Sequence, residues 1–149
     1  MKTRKVLARV DEYISESEEE TRLIAEKLAN GFKGAEIVLL FGELGAGKTV
    51  FAKGIAAGLG FEDINSVCSP SYTLVNIYKA KSVMYHVDLY RLGTETEILD
   101  LGWEDYIGQG VVVVEWGGKL SFPIDAIRVT IEVQDDETRK ITIERQNDM

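Results

Sequence analysis

The sequence predicts an α/β fold in which a central parallel sheet is flanked by antiparallel strands, and three observations carry that expectation. Ile37–Phe41 and Val111–Glu115 are short apolar runs, broken only by the closing carboxylate of the second. Such runs mark strands buried on both faces of a parallel sheet. Directly after the first run stands Gly42-Glu43-Leu44-Gly45-Ala46-Gly47-Lys48-Thr49, which fits the phosphate-loop pattern of glycine, four residues, Gly-Lys-Ser/Thr without a mismatch. Alternating segments lie near the ends of the chain, loosely at Val6, Ala8 and Val10 and cleanly at Ile127, Val129, Ile131 and Val133. Alternation of that kind belongs to antiparallel strands solvated on one face.

The elements follow in chain order. Val6, Ala8 and Val10 suggest a short opening strand, and its basic neighbours suit a sheet edge. Ser17-Glu18-Glu19-Glu20 has the form of a capping box, before Leu23, Ile24 and Leu28 mark a helix that stops at Asn30-Gly31. The acidic run reads first as a charge-complemented helix start and second as a docking face for a basic partner. After the glycine loop, Phe51, Ile55 and Leu59 recur every fourth residue beside Ala52 and Ala56, the buried stripe of a helix starting near Lys48. That helix ends at Gly58 to Gly60. Residues 62–71 contain turn formers and a proline, and long ordered loops of this kind are often functional.

Two strand-like runs, 72–78 and Val83–Asp88, are separated by Lys79-Ala80-Lys81-Ser82, short enough for a hairpin. Thr94-Glu95-Thr96-Glu97 is a second capping candidate, opening a short helix through Ile98 and Leu99, and 103–107 suggests another. At the end, Ile127 to Val133 and Ile141 with Ile143 flank Asp135-Asp136, an antiparallel hairpin expected to cover a sheet edge. Together these predict a three-layer fold like that of the P-loop nucleoside triphosphatases, in one domain spanning residues 1–149.

Strand, glycine turn and helix together define a chemistry. Gly42, Gly45 and Gly47 let the backbone curl so that successive N–H groups point inward, and the helix N-terminus adds partial positive charge, a nest for polyphosphate. Lys48 can reach the β- and γ-phosphates, and the Thr49 hydroxyl can ligate Mg²⁺. In open α/β sheets ligands bind beyond the carboxyl ends of the strands. Asp88 and Glu115 both close strand-like runs, so both are candidate catalytic acids provided their strands run parallel to the one before the glycine loop. One would help hold Mg²⁺ and the other would orient the attacking water. Ser69, Ser71 and Thr73 sit where switch loops of nucleotide hydrolases lie, against the plainer reading of a proline-marked strand start. Trp116 reads either as a residue beside the base or as a core aromatic. His86, sharing a strand face with Asp88, reads as a hydrogen-bonded structural histidine before a general base. Cys68 reads as a small filler.

Composition narrows the partners. With 17 Lys and Arg against 25 Asp and Glu, the formal charge is −8. Such a surface repels phosphate backbones, so DNA or RNA binding without a partner is not expected. One cysteine and one histidine exclude an internal disulfide and a zinc site of the usual ligand set. No apolar run approaches the roughly 20 residues of a membrane span, and the expectation is a soluble, cytoplasmic protein.

The motifs in order, Ser17 to Thr21, Gly42 to Thr49, Ser69 to Thr73, His86-Val87-Asp88-Leu89-Tyr90-Arg91 and Glu115-Trp116, resemble the TsaE (YjeE) family of bacterial P-loop ATPases, which serve in threonylcarbamoyladenosine modification of tRNA. The glycine loop alone indicates a superfamily, whereas the His-x-Asp-x-Tyr-Arg segment and the Glu-Trp strand end are specific. The resemblance implies ATP at Gly42 to Thr49 with Trp116 nearby, functional acids at Asp88 and Glu115, and a switch at Ser69, Ser71 and Thr73; beside it, Val50 is a further candidate nucleotide contact, and of the two acids Glu115 is the one expected to join Thr49 at Mg²⁺. It also implies TsaD and TsaB as partners, with ATP turnover resetting their complex and tRNA met only through it. Two positions depart from the family pattern: Ser71 stands where threonine is usual, and Gly117-Gly118 follow the Glu-Trp pair.

Other classes fit less well. A small-molecule kinase would bring lid arginines to the phosphoryl group, but of seven arginines only Arg91 falls in the central region. A GTPase would carry Asn-Lys-x-Asp, which is absent. A nucleotide-gated binding module with incidental hydrolysis remains as an alternative.

Overall fold

Uninterrupted apolar runs form the interior strands of this protein, and alternating runs form the outer ones. The computed structural model describes residues 6–43, 45–68, 70, 75–89, 102–115 and 126–148. Its strands are β1 (Val6–Ser15), β2 (Ile37–Phe41), β3 (Val75–Lys79), β4 (Val83–Asp88), β5 (Val111–Glu115), β6 (Ile127–Val133) and β7 (Arg139–Asp148), with helices α1 (Glu18–Ala29) and α2 (Lys48–Gly58). All seven strands join one mixed sheet in the order β1-β7-β6-β2-β5-β4-β3. β2 pairs in parallel with both β5 and β6, and β4 pairs in parallel with β5. The outer pairings, β1 with β7, β7 with β6 and β3 with β4, are antiparallel. This is the α/β arrangement expected, a parallel core with antiparallel flanks.

Register decides which side chains share a face. Val38 lies opposite Val113 and Ile127, and Leu40 lies opposite Glu115 and Val129. Val38, Leu40, Val113 and Val129 therefore face one way, and they form a single buried cluster with Ala25 and Leu28 of α1 and Phe51 and Ile55 of α2. Ile37, Leu39, Val112 and Val114 face the other way into a second cluster, joined by Val87 and partly covered by Tyr106. Burying Phe51 or Ile55 completely contributes about 1.5–3 kcal/mol each relative to exposure. The two helices also pack on each other at Gly54. A Cβ there would collide with the Arg22 carbonyl and come within 2.5 Å of the Ala25 Cβ, so the helices approach as closely as they do only because Gly54 has no side chain.

Helix ends follow the sequence signals. The Ser17 hydroxyl caps α1 by accepting the Glu20 N–H at 3.1 Å, while the Glu20 carboxylate accepts the Glu16 N–H at 2.8 Å, one residue before the usual partner of a capping box. Two expectations are corrected. β1 is an edge strand as foreseen but is not short: ten residues pair along β7, from Val6 opposite Asp148 to Ser15 opposite Arg139. Its pattern misleads because Val10 and Ile14 are exposed, and the second half is held by the backbone ladder, by ion pairs of Asp11 and Glu12 with Arg145 and Lys140 of β7, and by the buried Ser15. The β6–β7 hairpin does not cap the sheet. β6 lies directly beside β2 as a fourth parallel strand, and β1 covers the hairpin in turn.

Within 103–107, where a helix is expected, Trp103–Tyr106 form a 3-10 turn, and a second such turn, Ile64–Ser66, lies in the long loop. The suggested helix through Ile98 and Leu99 and the first residues of the 72–78 strand lie outside the described residues. Among the described residues, no helix is long and apolar enough to cross a membrane.

Candidate functional site

The glycine loop leaves β2 at its carboxyl end and runs into α2. Gly47 is the N-cap residue of α2 with φ of 113°, a left-handed conformation that suits glycine, and no side chain caps the helix. The first turn of α2 carries no acid. α1 contrasts with it, having a serine cap and three glutamates in its first turn. A helix start of this kind suits an anion, which the helix dipole favours.

Lys48 follows the cap and is 5% exposed, with Nζ donating to the Gly42 carbonyl at 2.8 Å. Burial lowers its pKa below the ordinary lysine value, and the nearby carboxylates of Glu115 and Asp88 oppose that shift. The two acids reach this lysine because β4 and β5 run parallel to β2, so their carboxyl ends emerge on the same side as the glycine loop. Asp88 and Glu115 are direct register partners, 3% and 5% exposed. The Leu89 N–H bonds the Glu115 carbonyl at 3.0 Å and continues the ladder past both. His86 is wholly buried, and its Nε2 lies 2.9 Å from Glu115 Oε2. Its reading as a hydrogen-bonded residue holds, and the partner is one of the candidate acids.

Of the residues singled out from the sequence, Gly42, Glu43, Gly45, Ala46, Gly47, Lys48, Thr49 and Val50 occupy the loop and first turn of α2, with Asp88 and Glu115 beside them. Leu44, Ser69, Ser71, Thr73, Trp116 and Arg91 lie outside the described residues, as do Gly117 and Gly118. Cys68 is exposed rather than a buried filler.

A second group was not legible in advance. A cavity of about 330 Å³ lies beside the loop, lined on one side by Gly45 to Gly47 and Val50 and on the others by Ser17, Glu18 and Thr21 of the α1 start and by Asp136, Glu137 and Arg139 of the β6–β7 turn. Its size falls within the range of small-molecule sites. Arg139 fastens the turn to the loop: Nε donates to the Ala46 carbonyl at 3.0 Å, and Nη1 donates to the Asp135 carbonyl at 2.8 Å. Ser15 and Thr21 share a buried hydroxyl bond of 2.7 Å that ties the end of β1 to α1 at the cavity wall. Nothing local in the sequence marks Arg139, which lies 93 residues from its partner.

Comparison with known proteins shows the family. The model of the family described as threonylcarbamoyl adenosine biosynthesis protein TsaE matches residues 15–142. The chain is 42% identical over 135 residues to the tRNA threonylcarbamoyladenosine biosynthesis protein TsaE of Aquifex aeolicus, covering 90% of this chain and 96% of that one. It is 41% identical over 128 residues to the TsaE protein of Bacillus subtilis, covering 83% and 78% respectively. The crystal structure of Bacillus subtilis YdiB superposes with a TM-score of 0.72 at 31% identity, over 93% of this chain and 87% of the other.

Proposed function

Since this chain belongs to the TsaE family of tRNA threonylcarbamoyladenosine biosynthesis proteins, we propose that it binds and hydrolyses ATP and that this turnover resets a TsaD–TsaB complex between rounds of tRNA modification. The observation that carries the ATPase reading is the meeting of one buried cation and two buried acids, Lys48, Asp88 and Glu115, at the mouth of a loop whose helix N-terminus has no cap of its own.

In this reading the backbone N–H groups from Gly45 to Thr49 hold the β- and γ-phosphates, and Lys48 leaves the Gly42 carbonyl to bind their oxygens. The nucleoside lies in the cavity toward Arg139 and the α1 start. The oxygen donors present suit a magnesium ion, which in nucleotide sites takes one or two protein oxygens and fills its shell with phosphate and water. The Thr49 hydroxyl and the Glu115 carboxylate would hold it. A bound Mg²⁺ would neutralise charge developing on the phosphate oxygens. Asp88, next to Glu115 in register, accepts a hydrogen bond from the attacking water and aims it at the γ-phosphorus. Family resemblance alone assigns Ser69, Ser71 and Thr73 the switch role toward the γ-phosphate and Trp116 a contact with the nucleotide, and all four lie outside the described residues.

Calorimetric titration with ATP and phosphate release without any acceptor test the reading. We expect the wild-type chain to bind ATP and release phosphate slowly, and Lys48→Ala to weaken affinity by about tenfold or more, a loss of about 1.4 kcal/mol. Unchanged affinity and turnover in that variant would remove the nucleotide site from the loop.

A further inference from the structure

One buried polar side chain has no part in the scheme above. His86 is the only histidine of the chain and is 0% exposed. It stands on β4 two residues before Asp88, hence on the same face of the sheet, and opposite Val113, two residues before Glu115. The ring therefore sits diagonally below the Glu115 carboxylate, with Nε2 2.9 Å from Oε2. The other ring nitrogen, Nδ1, is buried with no hydrogen-bond partner among the described residues. Stranding a buried polar atom is costly, and an apolar residue of similar shape would avoid the cost. What histidine supplies that phenylalanine would not is the contact to Glu115.

A carboxylate oxygen accepts, so a hydrogen bond from this ring to Glu115 needs the proton on Nε2. We propose that His86 is a positioning residue for Glu115: its Nε2–H holds Oε2 and fixes the carboxylate's rotamer, leaving Oε1 as the oxygen offered to the divalent cation of the nucleotide site. No other hydrogen bond to that carboxylate is made among the described residues. Without the histidine, Glu115 would turn about its side-chain bonds. Groups that orient a metal-binding side chain in this way influence metal affinity although they never touch the ion. The inference rests on the Mg²⁺–ATP reading of the site.

The test has two arms. In tag-free wild-type protein the single imidazole gives one set of ¹⁵N–¹H correlations, and we expect the proton on Nε2. A proton on Nδ1 with Nε2 bare would overturn the proposal without any variant. The second arm compares His86→Phe, which keeps the ring volume and removes the donor, with His86→Gln, whose amide N–H can reach the same oxygen. Mg²⁺ titrations of ATP binding by calorimetry should show the phenylalanine variant needing about 10- to 100-fold more Mg²⁺. Its kcat should fall with little change in KM, while glutamine restores most of both. Wild-type Mg²⁺ dependence in the phenylalanine variant, or equal impairment of the two variants, would reduce His86 to a packing residue. Should the phenylalanine variant not fold, the ring spectrum and the glutamine variant still decide. A wild type whose ATP binding ignores Mg²⁺ would sink the underlying reading, an outcome distinct from a Mg²⁺-dependent wild type matched by His86→Phe.

Discussion

At the scale of single residues, the site is built from side chains held out of water. Asp88 and Glu115 are both almost wholly buried beside a buried lysine, and the attraction between that lysine and the two acids offsets part of the cost of burying them. If both acids serve chemistry, Asp88→Asn and Glu115→Gln should each cut phosphate release by about 100-fold while leaving most of the ATP affinity, which the loop amides carry. Steady-state phosphate release alongside calorimetry checks this, and full turnover in either variant would leave that residue a structural strand end. Lys48, Asp88 and Glu115 were legible because a contiguous motif named the first and strand-terminal position named the other two. Arg139 was not. Its guanidinium bonds Ala46 only because β6 lies beside β2 and brings the following turn over the loop, a fact of tertiary pairing that no local pattern in Ile127 to Ile143 encodes.

At the scale of elements, the clearest sequence signals were those in which period and punctuation agree. Ile37–Phe41, Val83–Asp88 and Val111–Glu115 form strands over the residues expected, and α1 and α2 end where Asn30 and the 58–60 glycines end them. β1 was underestimated because its second half follows the ladder of β7 rather than an alternating pattern, with Val10 and Ile14 left exposed. The hairpin was misplaced for a related reason: alternation in β6 reflects one solvated face, which an interior parallel strand near the sheet's end can have as well as an edge strand. The contact between α1 and α2 yields a prediction at this scale. Gly54→Val would press a branched side chain against the Arg22 carbonyl, a backbone group that cannot rotate aside. Overpacking of this sort costs about 1–3 kcal/mol. Urea unfolding of the variant should show a lowered midpoint with unchanged slope, and stability equal to wild type would mean that the helices separate without cost.

At the scale of the whole molecule, strand order brings the parts together. Placing β6 and β5 on either side of β2 puts the nucleoside-sized cavity on one flank of the glycine loop and the two acids on the other. The sequence foretold a parallel core but not this order, since strand pairing is set by contacts distant in the chain. Net charge belongs to the same scale. At −8, with Glu18, Asp136 and Glu137 around the cavity, the chain carries a surplus of the charge that a phosphate backbone repels. On the proposed ATPase reading, such a site is slow until its charge-neutralising groups are complete, so TsaD and TsaB should raise turnover. The decisive measurement is reconstitution of threonylcarbamoyladenosine formation from purified TsaB, TsaD and this protein, counting modified tRNA per TsaD with wild type and with Glu115→Gln. The account predicts many rounds with wild type and arrest after about one with the variant; equal multiple turnover with the variant, or with this protein left out, would contradict it.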